Sequence, residues 1–201
     1  MICAPESERD LASIEHDALL INGHPVHIAP SVLADLDGVR SFYAHLSDTS
    51  TYFRFFGIRR EIPEVELRNA VDPEVDEHVT LLASVDGQLA GIGEFIVGSR
   101  SDEAEVAFAV ADDHHHEGIA TLLLESLVVV ARRRGIKTLT AVTLWGNTGM
   151  LEVFRMVGLA ERTFVDEDGV VHVAFDLLAP DELDERSAER HVRAAQAASI
   201  G

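Results

Sequence analysis

The first third of the chain predicts one strand followed by helices. Residues 25–30 (PVHIAP) have the alternation of a short strand, and Ser31 is placed to cap a helix that extends to about residue 45. Two further helical stretches are predicted at residues 51–56, which carry an aromatic cluster, and at residues 63–70, which begin with a proline. The pattern is therefore mainly helical from residue 31 to residue 70.

The pattern changes to a two-residue period after residue 73. Residues 79–85 and 89–97 are typical of two strands joined by a tight turn at Asp86-Gly87, and residues 103–111 form a third strand with clear alternation. A strongly apolar helix follows at residues 118–134 and ends at Gly135. The remaining predicted elements are a strand at 138–144, a helix at 149–157 and a closing hairpin of strands at 159–164 and 170–177.

This order of elements predicts a mixed α/β sheet with helices on its faces. We expect one domain at residues 24–178, after an N-terminal extension at residues 1–23. The charged, Ala-rich tail at residues 179–201 is predicted to be either a marginal helix or disordered.

The chain is strongly acidic, which limits the classes of molecule that it is expected to bind. Its 201 residues include 16 Lys and Arg against 35 Asp and Glu, a formal net charge of −19. Such a surface repels nucleic acids and anionic membranes, and it either attracts a basic protein or serves only solubility. The chain has a single cysteine, Cys3, and shows neither a signal-like N-terminus nor an apolar run long enough to span a membrane. We therefore expect a cytoplasmic protein.

The junction between the strand at 103–111 and the helix at 118–134 is a candidate anion site. The first turn of a helix has unpaired backbone N–H groups and a partial positive charge, so it attracts phosphate groups. Gly118 allows a diphosphate to approach the backbone closely, and the small Ala120 keeps the second position open. The Gly-x-Ala spacing of residues 118–120 is by itself weak evidence for an anion site. Its position between a strand and a helix makes that evidence stronger.

Three stretches of sequence resemble one enzyme superfamily. AEVAFAVADDHHHEGIATLLLESL, WGNTGMLEVFRMVGL and GVVHVAFDL look like the GNAT superfamily of N-acetyltransferases. The chain is similar in particular to the acetyltransferase domain of bacterial protein-lysine acetyltransferases, over about residues 26–177. The resemblance implies a twisted, mostly antiparallel sheet with helices on both faces, acetyl-CoA as co-substrate without a metal, and an amine acceptor such as a protein lysine.

The resemblance also implies a set of coenzyme-binding residues. The pantetheine arm is expected where the strands at 103–111 and 138–144 separate, and the diphosphate at the start of the following helix. The implied residues are Phe108, Val110, His115, His116, Glu117, Gly118, Ile119, Ala120, Thr121 and Asn147. His115 replaces the usual Gln or Arg, and His116 and Glu117 replace a Gly and a basic residue. An acidic Glu117 is predicted to disfavour the diphosphate.

Glu105 is the candidate general base. Acyl transfer to an amine requires the neutral amine, so a base must remove one proton. Glu105 stands on the strand face that carries the small Ala107 and Ala109, and the AE-V-AF context resembles that of the general base in the lysine-acetyltransferase subgroup. Glu94 on the neighbouring strand is a second candidate carboxylate, and Glu125 is expected to lie on the surface of its helix.

Two further positions bear on the reaction. Many GNAT enzymes carry a Tyr that protonates the departing thiolate, and Phe154 occupies that place here. Asn147 either hydrogen-bonds the pantetheine or orders its loop. The HHHE run at residues 114–117 also contains metal-ligating side chains, but adjacent residues rarely converge on one ion, and we predict no metal.

Three functions remain open at this point. The first is an acetyl-CoA-dependent N-acetyltransferase acting on an amine, with a protein lysine as the favoured acceptor. The second is a small-molecule amine acetyltransferase, and the third is a catalytically weak module that binds acyl-CoA or a partner protein. The aromatic cluster at residues 52–56 is expected to pack in the core, with a homodimer surface or an acceptor wall as alternatives.

Overall fold

One eight-stranded sheet organises the chain. The computed structural model describes residue 11 and residues 14–57, 59, 61–72, 77–156 and 160–177. The strands are β1 (His16–Leu19), β2 (Pro25–Pro30), β3 (His78–Val85), β4 (Gln88–Val97), β5 (Glu103–Val110), β6 (Thr138–Leu144), β7 (Ala160–Val165) and β8 (Val170–Asp176). Our predictions for residues 1–10, for the end of the last helix at residues 157–158 and for the tail at residues 179–201 fall outside the described residues.

The strand order confirms a mixed sheet that is mostly antiparallel. The order is β1-β2-β3-β4-β5-β6-β8-β7, and β5–β6 is the parallel pair among these neighbours. The predicted turn between β3 and β4 is present, with positive φ angles of 50° at Asp86 and 75° at Gly87. A two-residue hairpin loop of this type requires positive φ at both positions, which Asp and Gly tolerate well. Local turn chemistry therefore sets the register of this hairpin.

Helices cover both faces of the sheet. The described α-helices are α1 (Leu36–His45), α2 (Asp48–Phe55), α3 (Glu64–Val71), α4 (Ile119–Arg133) and α5 (Thr148–Met156). One hydrophobic core joins α4 and α5 to the sheet, and a second, smaller core joins α1 and α3 to its opposite face. Within the described part of the chain, no helix has the length and apolar character needed to span a membrane.

The start of α1 corrects a prediction. Ser31 does not cap this helix, because its buried hydroxyl donates a hydrogen bond of 2.9 Å to the carbonyl oxygen of Ala70. A short 3-10 turn at Leu33–Asp35 precedes the helix instead. Ser47, which the sequence did not single out, is the side-chain cap of α2 and accepts a hydrogen bond from the N–H of Ser50. The tertiary contact with α3 therefore overrides the local capping signal at Ser31.

Two other features differ from the sequence-based expectation. Glu125 is 4% exposed, so the prediction of a surface position on its helix is wrong. Almost the whole circumference of α4 is buried, because the helix packs between the sheet and neighbouring segments. The four-residue strand β1 was not predicted, and it lies within the stretch that we assigned to the N-terminal extension.

Close packing between α4 and β4 fixes the position of the helix. A Cβ atom at Gly91 would lie 2.5 Å from Cγ2 of Ile119 and 3.3 Å from Cδ1 of Leu123. At Gly93, a Cβ atom would lie 3.1 Å from Cβ of Leu123 and from the ring of Phe108. The two glycines therefore allow α4 to approach the sheet closely, and Ile119 is the first residue of that helix.

A buried ionic cluster ties α2 to the opposite face of the sheet. The Arg54 guanidinium donates a hydrogen bond to Oε1 of Glu94, and His78 Nε2 donates to Oε2 of the same carboxylate at 2.6 Å. Burial opposes ionisation of Glu94, but the hydrogen bond from His78 and the charge of Arg54 outweigh it and hold the pKa of this carboxyl below its usual value. Burial raises the pKa of the adjacent Tyr43 to about 12.

A stability prediction follows from the contact between Gly91 and Ile119. We expect Gly91→Ala to lower the free energy of unfolding by about 1–3 kcal/mol, because the added methyl group overpacks the interface with α4. Gly38→Ala is the matched control, since a Cβ atom there has no neighbour within 4 Å and alanine favours the helix. Urea unfolding of both variants measures the difference, and equal stabilities would contradict the close-packing argument.

A second prediction concerns the charge of Glu94. We expect Glu94→Gln to lower the free energy of unfolding by about 3 kcal/mol at neutral pH, since it leaves the Arg54 cation buried without its partner. The pKa of Glu94 is lower in the folded chain, so its ionised form stabilises the fold above the unfolded-state pKa of about 4.3. This stabilisation is lost as the pH falls through the lower folded-state pKa.

Unfolding of wild type and Glu94→Gln across the acidic range tests this prediction. The stability difference should shrink as the solution is acidified below about pH 4. Glu64→Gln is the control, because the exposed pair of Glu64 with Arg40 is screened by solvent and should matter far less. A difference that stays constant down to the most acidic condition would show that the Glu94 charge does not stabilise the fold.

Candidate active site

The parallel pair β5–β6 separates partway along its length. Its pairing extends from Glu103 opposite Thr138 to Val106 opposite Ala141, and no described pairing follows although both strands continue. The carboxyl-terminal half of β5 therefore borders a gap in the sheet on its β6 side.

The backbone of β5 presents hydrogen-bonding groups to this gap. The N–H of Ala111 donates to the carbonyl oxygen of Ala90 in line with the β4–β5 register, so residues 109 and 111 direct their backbone groups toward β4. The backbone groups of Phe108 and Val110 consequently point toward the gap. His115 Nε2 lies 3.1 Å from the carbonyl oxygen of Val110 and donates a hydrogen bond to it.

The start of α4 lies next to this gap and presents the amides of its first turn. Gly118, with a φ of 96°, precedes the helix and provides no side-chain cap, while the N–H of Leu122 donates to the carbonyl oxygen of Gly118. The N–H groups of Ile119, Ala120 and Thr121 belong to the first turn, which has no intrahelical acceptor for them. These amides form a site for a negatively charged group.

Glu117 is held away from the helix start. Its carboxylate accepts a hydrogen bond of 2.7 Å from Nδ2 of Asn22 and one of 2.8 Å from Nδ1 of His114. Glu117 is also absent from the residues that line the adjacent cavity. The carboxylate that sequence analysis placed beside a diphosphate is therefore engaged on the outer side of the loop.

The three consecutive histidines point to different partners. His114 contacts Glu117, His115 contacts the Val110 carbonyl, and His116 lies 4.0 Å from the position of a Cβ atom at Gly149. His116 has a φ of 64°, a left-handed conformation that favours glycine. Among the described residues, no three His, Cys, Asp or Glu side chains are grouped to hold a metal ion.

A large cavity joins the gap and the helix start. It has a volume of about 770 Å³ and is bordered by α2, β5, the 112–118 loop, the start of α4, β6 and α5. The predicted coenzyme residues that line it are Phe108, Val110, His115, His116, Gly118, Ile119, Ala120, Thr121 and Asn147. Thr143, also in its lining, has a buried hydroxyl oxygen without a hydrogen-bond partner in the described structure.

Asn147 and Phe154 shape the α5 side of the cavity. Oδ1 of Asn147 accepts a hydrogen bond of 3.2 Å from the N–H of Met150, so this side chain caps the start of α5. Phe154 is 3% exposed, and its ring packs against Phe175 at a centroid distance of 5.3 Å. The phenyl ring has no proton to exchange at this position.

The α2 side of the cavity is fixed by Asp112. This carboxylate accepts hydrogen bonds of 2.9 Å from the N–H of Ser47, 2.5 Å from its hydroxyl and 2.7 Å from the hydroxyl of Ser50. Burial opposes ionisation of Asp112, but these hydrogen bonds outweigh it and lower the pKa of the carboxyl. The contacts hold α2 so that Phe53 and Arg54 border the cavity.

The aromatic cluster on α2 is only partly packed. Tyr52 is 44% exposed and Phe56 is 43% exposed, so the expectation that the whole cluster lies in the core is wrong for these two residues. Phe53 instead borders the cavity, and Phe55 lies against Tyr43 at a ring distance of 5.6 Å. The helix therefore forms part of the site wall as well as part of the core.

Glu105 stands on the open sheet beside the gap. Its side chain is exposed, between Ile96 on β4 and Thr140 on β6 in the strand register. The next residue on the same face, Ala107, lines the cavity, although Glu105 itself does not. Within the described part of the chain, no hydrogen bond or ion pair engages the Glu105 carboxylate, whereas both oxygens of Glu94 are occupied.

Ile21 and Thr143 are among the lining residues that were not identified from the sequence. Ile21, in the β1–β2 turn, is 75% exposed and lines the cavity, and its N–H donates to the carbonyl oxygen of Glu117. This contact joins residues 21 and 117, which are far apart in the sequence, so no local pattern could have revealed it. The hydroxyl of Thr143 is buried and has no hydrogen-bond partner among the described residues.

Comparison with known proteins places this chain in a family. The model of the acetyltransferase (GNAT) family matches residues 42–159. The GNAT domain of S. lividans PAT is 32% identical, with a TM-score of 0.75 over 82% of this chain and 98% of that one. A Salmonella typhimurium structure of yncA, a putative acetyltransferase with acetyl-CoA, is 18% identical, with a TM-score of 0.64 over 78% of this chain and 98% of that one.

Two curated acetyltransferases are also similar. One from Pseudomonas aeruginosa is 28% identical over 158 residues, which cover 76% of this chain and 85% of that protein. The acetyltransferase Pat of Mycolicibacterium smegmatis is 26% identical over 160 residues, 77% of this chain but 46% of that longer protein. With more than half of its residues inside the family match, the chain belongs to the GNAT acetyltransferase family and is a GNAT-type N-acetyltransferase.

Proposed function

We propose that this enzyme transfers the acetyl group of acetyl-CoA to a lysine side chain of a protein, with Glu105 as the general base. The observation that carries the proposal is the unpaired Glu105 carboxylate on the open sheet beside the β5–β6 gap. The family match and the similarity to the GNAT domain of S. lividans PAT support the reaction type.

The cavity has the polar groups that an extended coenzyme requires. The amides of Ile119, Ala120 and Thr121 suit the diphosphate, and the backbone of Phe108 and Val110 suits the amide groups of a pantetheine arm. The buried Thr143 hydroxyl without a described partner is a further sign of a polar ligand. Acetyl-CoA supplies the acyl group as a thioester.

The state of the two neighbouring carboxylates favours Glu105 over Glu94 as the base. A general base needs a free lone pair within reach of the amine proton. Both oxygens of Glu94 accept hydrogen bonds from cationic or ring N–H groups in the buried cluster. Glu105 has no such partner among the described residues, so its carboxylate can accept the proton of an ammonium group.

The surroundings of Glu105 favour a macromolecular acceptor. Small-molecule sites usually enclose most of their ligand, whereas Glu105 is exposed on the sheet beside Ile96, which is 47% exposed. The net charge of −19 attracts a basic protein surface that presents lysines. A lysine side chain is long enough to reach the carboxylate from such a surface.

No side chain at the Phe154 position can protonate the departing thiolate. Phe154 is buried in its contact with Phe175 and carries no acidic proton. A thiol with an ordinary pKa of about 8.5 leaves as a thiolate without help near neutral pH. We therefore propose that the proton reaches the thiolate from water.

A regulatory acyl-CoA-binding module is the second candidate function. His115 already donates a hydrogen bond to the Val110 carbonyl, a group that the pantetheine arm would use. His116 holds a left-handed conformation where glycine is favoured. The hydrogen bond of His115 competes with the pantetheine arm for the Val110 carbonyl, and a module that binds without turnover would tolerate this competition.

The test of the proposed function compares two glutamates on one strand face. Glu105→Gln should reduce thiol release from acetyl-CoA with a lysine peptide by about 10²-fold or more, because the amide cannot accept the ammonium proton. Glu103→Gln, two residues away on the same face of β5, is the matched control and should keep wild-type turnover.

Calorimetric titration with CoA accompanies the assay. Both variants should bind CoA with wild-type affinity, since neither side chain lines the cavity. Wild-type turnover in Glu105→Gln would eliminate this residue as the base. CoA binding by the wild type without thiol release on any lysine peptide would support the regulatory module instead.

A further inference from the structure

The sheet face that carries Glu105 is covered over only part of its width. The core on this face joins α1 and α3 to β3, β4 and β5 through residues such as Leu82, Ile92 and Ala109, and α2 contacts β5 and β6. The strands β6, β8 and β7 continue the same face beyond β5. Of the described residues on these three strands, none that shares the Glu105 face belongs to this core.

An apolar patch occupies this uncovered part of the sheet. Val142, Leu144 and Val170 are half-buried and belong to neither hydrophobic core, and Phe164 is 61% exposed. The Phe164 ring stacks on His172 with a centroid distance of 4.5 Å and an interplanar angle of 2°. We call the four apolar residues Val142, Leu144, Val170 and Phe164 the sheet patch.

A hydrogen bond from His172 to Asp166 fixes the orientation of the stacked pair. His172 Nε2 lies 3.2 Å from Oδ2 of Asp166 and donates to it, and Asp166 in turn accepts hydrogen bonds from the N–H groups of Val170 and Asp168. The His172 ring is therefore held parallel to the Phe164 ring on the neighbouring strand. An exposed aromatic ring on a fixed support is a suitable contact for an apolar side chain of a ligand.

The sheet patch is continuous with the catalytic cavity. Val142 lines that cavity. The register places Thr140 beside Glu105, Val142 beside His172, and His172 beside Phe164. Strands lie about 4.8 Å apart and advance about 3.3 Å per residue, so Phe164 lies about 16 Å from Glu105 across the sheet. In an extended peptide, side chains four residues apart point the same way and lie about 13 Å apart, and the lengths of the two side chains cover the remaining distance.

We propose that the sheet patch docks an apolar residue of the acceptor polypeptide about four positions from the lysine that is acetylated. This inference rests on the proposed function. The patch selects acceptors in which a lysine, attracted by the acidic surface, is accompanied by an apolar side chain. Phe164 is then a specificity-determining residue, separate from the chemistry at Glu105.

An acceptor segment fits the sheet patch better than a second copy of the chain. Stable dimer interfaces bury about 800 Å² on each partner, more than four partly exposed side chains provide. The patch also opens directly into the catalytic cavity through Val142, so a ligand there is connected to the reaction. A short peptide segment needs only such a limited area.

The test uses two peptides with the wild-type enzyme and three variants. Both peptides carry one central lysine among serines; the first has leucine at the fourth position on each side, a spacing set by the strand geometry, and the second has serine there. We expect a KM about tenfold lower for the leucine peptide with wild type, and loss of this preference in Phe164→Ser. Phe164→Leu should retain most of it.

Val65→Ser is the matched control for surface hydrophobicity, because Val65 is 64% exposed on α3, away from the sheet patch. It should keep the wild-type preference. Thermal unfolding and sedimentation velocity are measured for every variant. A folded Phe164→Ser enzyme that keeps the leucine preference would overturn the inference.

The remaining outcomes separate this inference from the proposed function. Equal KM values for the two peptides with wild type would overturn the docking inference while leaving lysine acetylation in place. Acetylation of neither peptide would reject the proposed function and the inference with it. A Phe164→Ser variant that loses a wild-type dimer, with no change in KM, would assign the sheet patch to a second copy and contradict the inference.

Discussion

The interruption of pairing between β5 and β6 is the constraint on which the site depends. Pairing ends at Val106 opposite Ala141, although both strands continue. A buried backbone group without a hydrogen-bond partner costs free energy, so a sheet normally continues its ladder to the strand ends. Here the Phe108 and Val110 backbone is directed to a cavity, and a ligand with its own amide groups can complete the ladder.

The cavity presents partial positive charge, whereas the molecule as a whole is strongly negative. The chain carries a net charge of −19, yet its cavity includes the first-turn amides of a buried helix. Arg54 is the one Lys or Arg side chain among the described lining residues, and Glu94 pairs with it. An anionic ligand must therefore be held mainly by backbone N–H groups and the helix dipole, while Asn22 and His114 keep the Glu117 carboxylate aside.

The sequence predicted most of the sheet and the location of the cavity, because both depend on local patterns. Two-residue alternation identifies the strands, and the apolar strand followed by Gly118 and an apolar helix identifies the junction. Ser31 was misassigned because its hydroxyl donates to Ala70, which is 39 residues away. Glu125 was misassigned because a helix buried on nearly all sides carries no polar face to mark its exposed positions.

Long-range contacts explain what the sequence could not show about the site. The Glu117 side chain is oriented by Asn22, which is 95 residues away, and the same turn brings Ile21 to the cavity. The distinction between Glu94 and Glu105 likewise depends on Arg54, which reaches β4 from α2. Residue type and strand position identified both carboxylates as candidate bases. The hydrogen-bond partners that the fold brings to Glu94, and not to Glu105 among the described residues, distinguish the two.

Amide NMR spectra recorded during titration with CoA test the central claim most directly. Saturating CoA should shift the signals of Gly118, Ile119 and Ala120, where the helix start receives the diphosphate, and those of Phe108 and Val110, where the β5 backbone receives the pantetheine arm. Signals on α3, on the far side of the sheet from α4, should remain in place. Binding of CoA without changes at these five amides would contradict the account of the gap and the helix start as the coenzyme site.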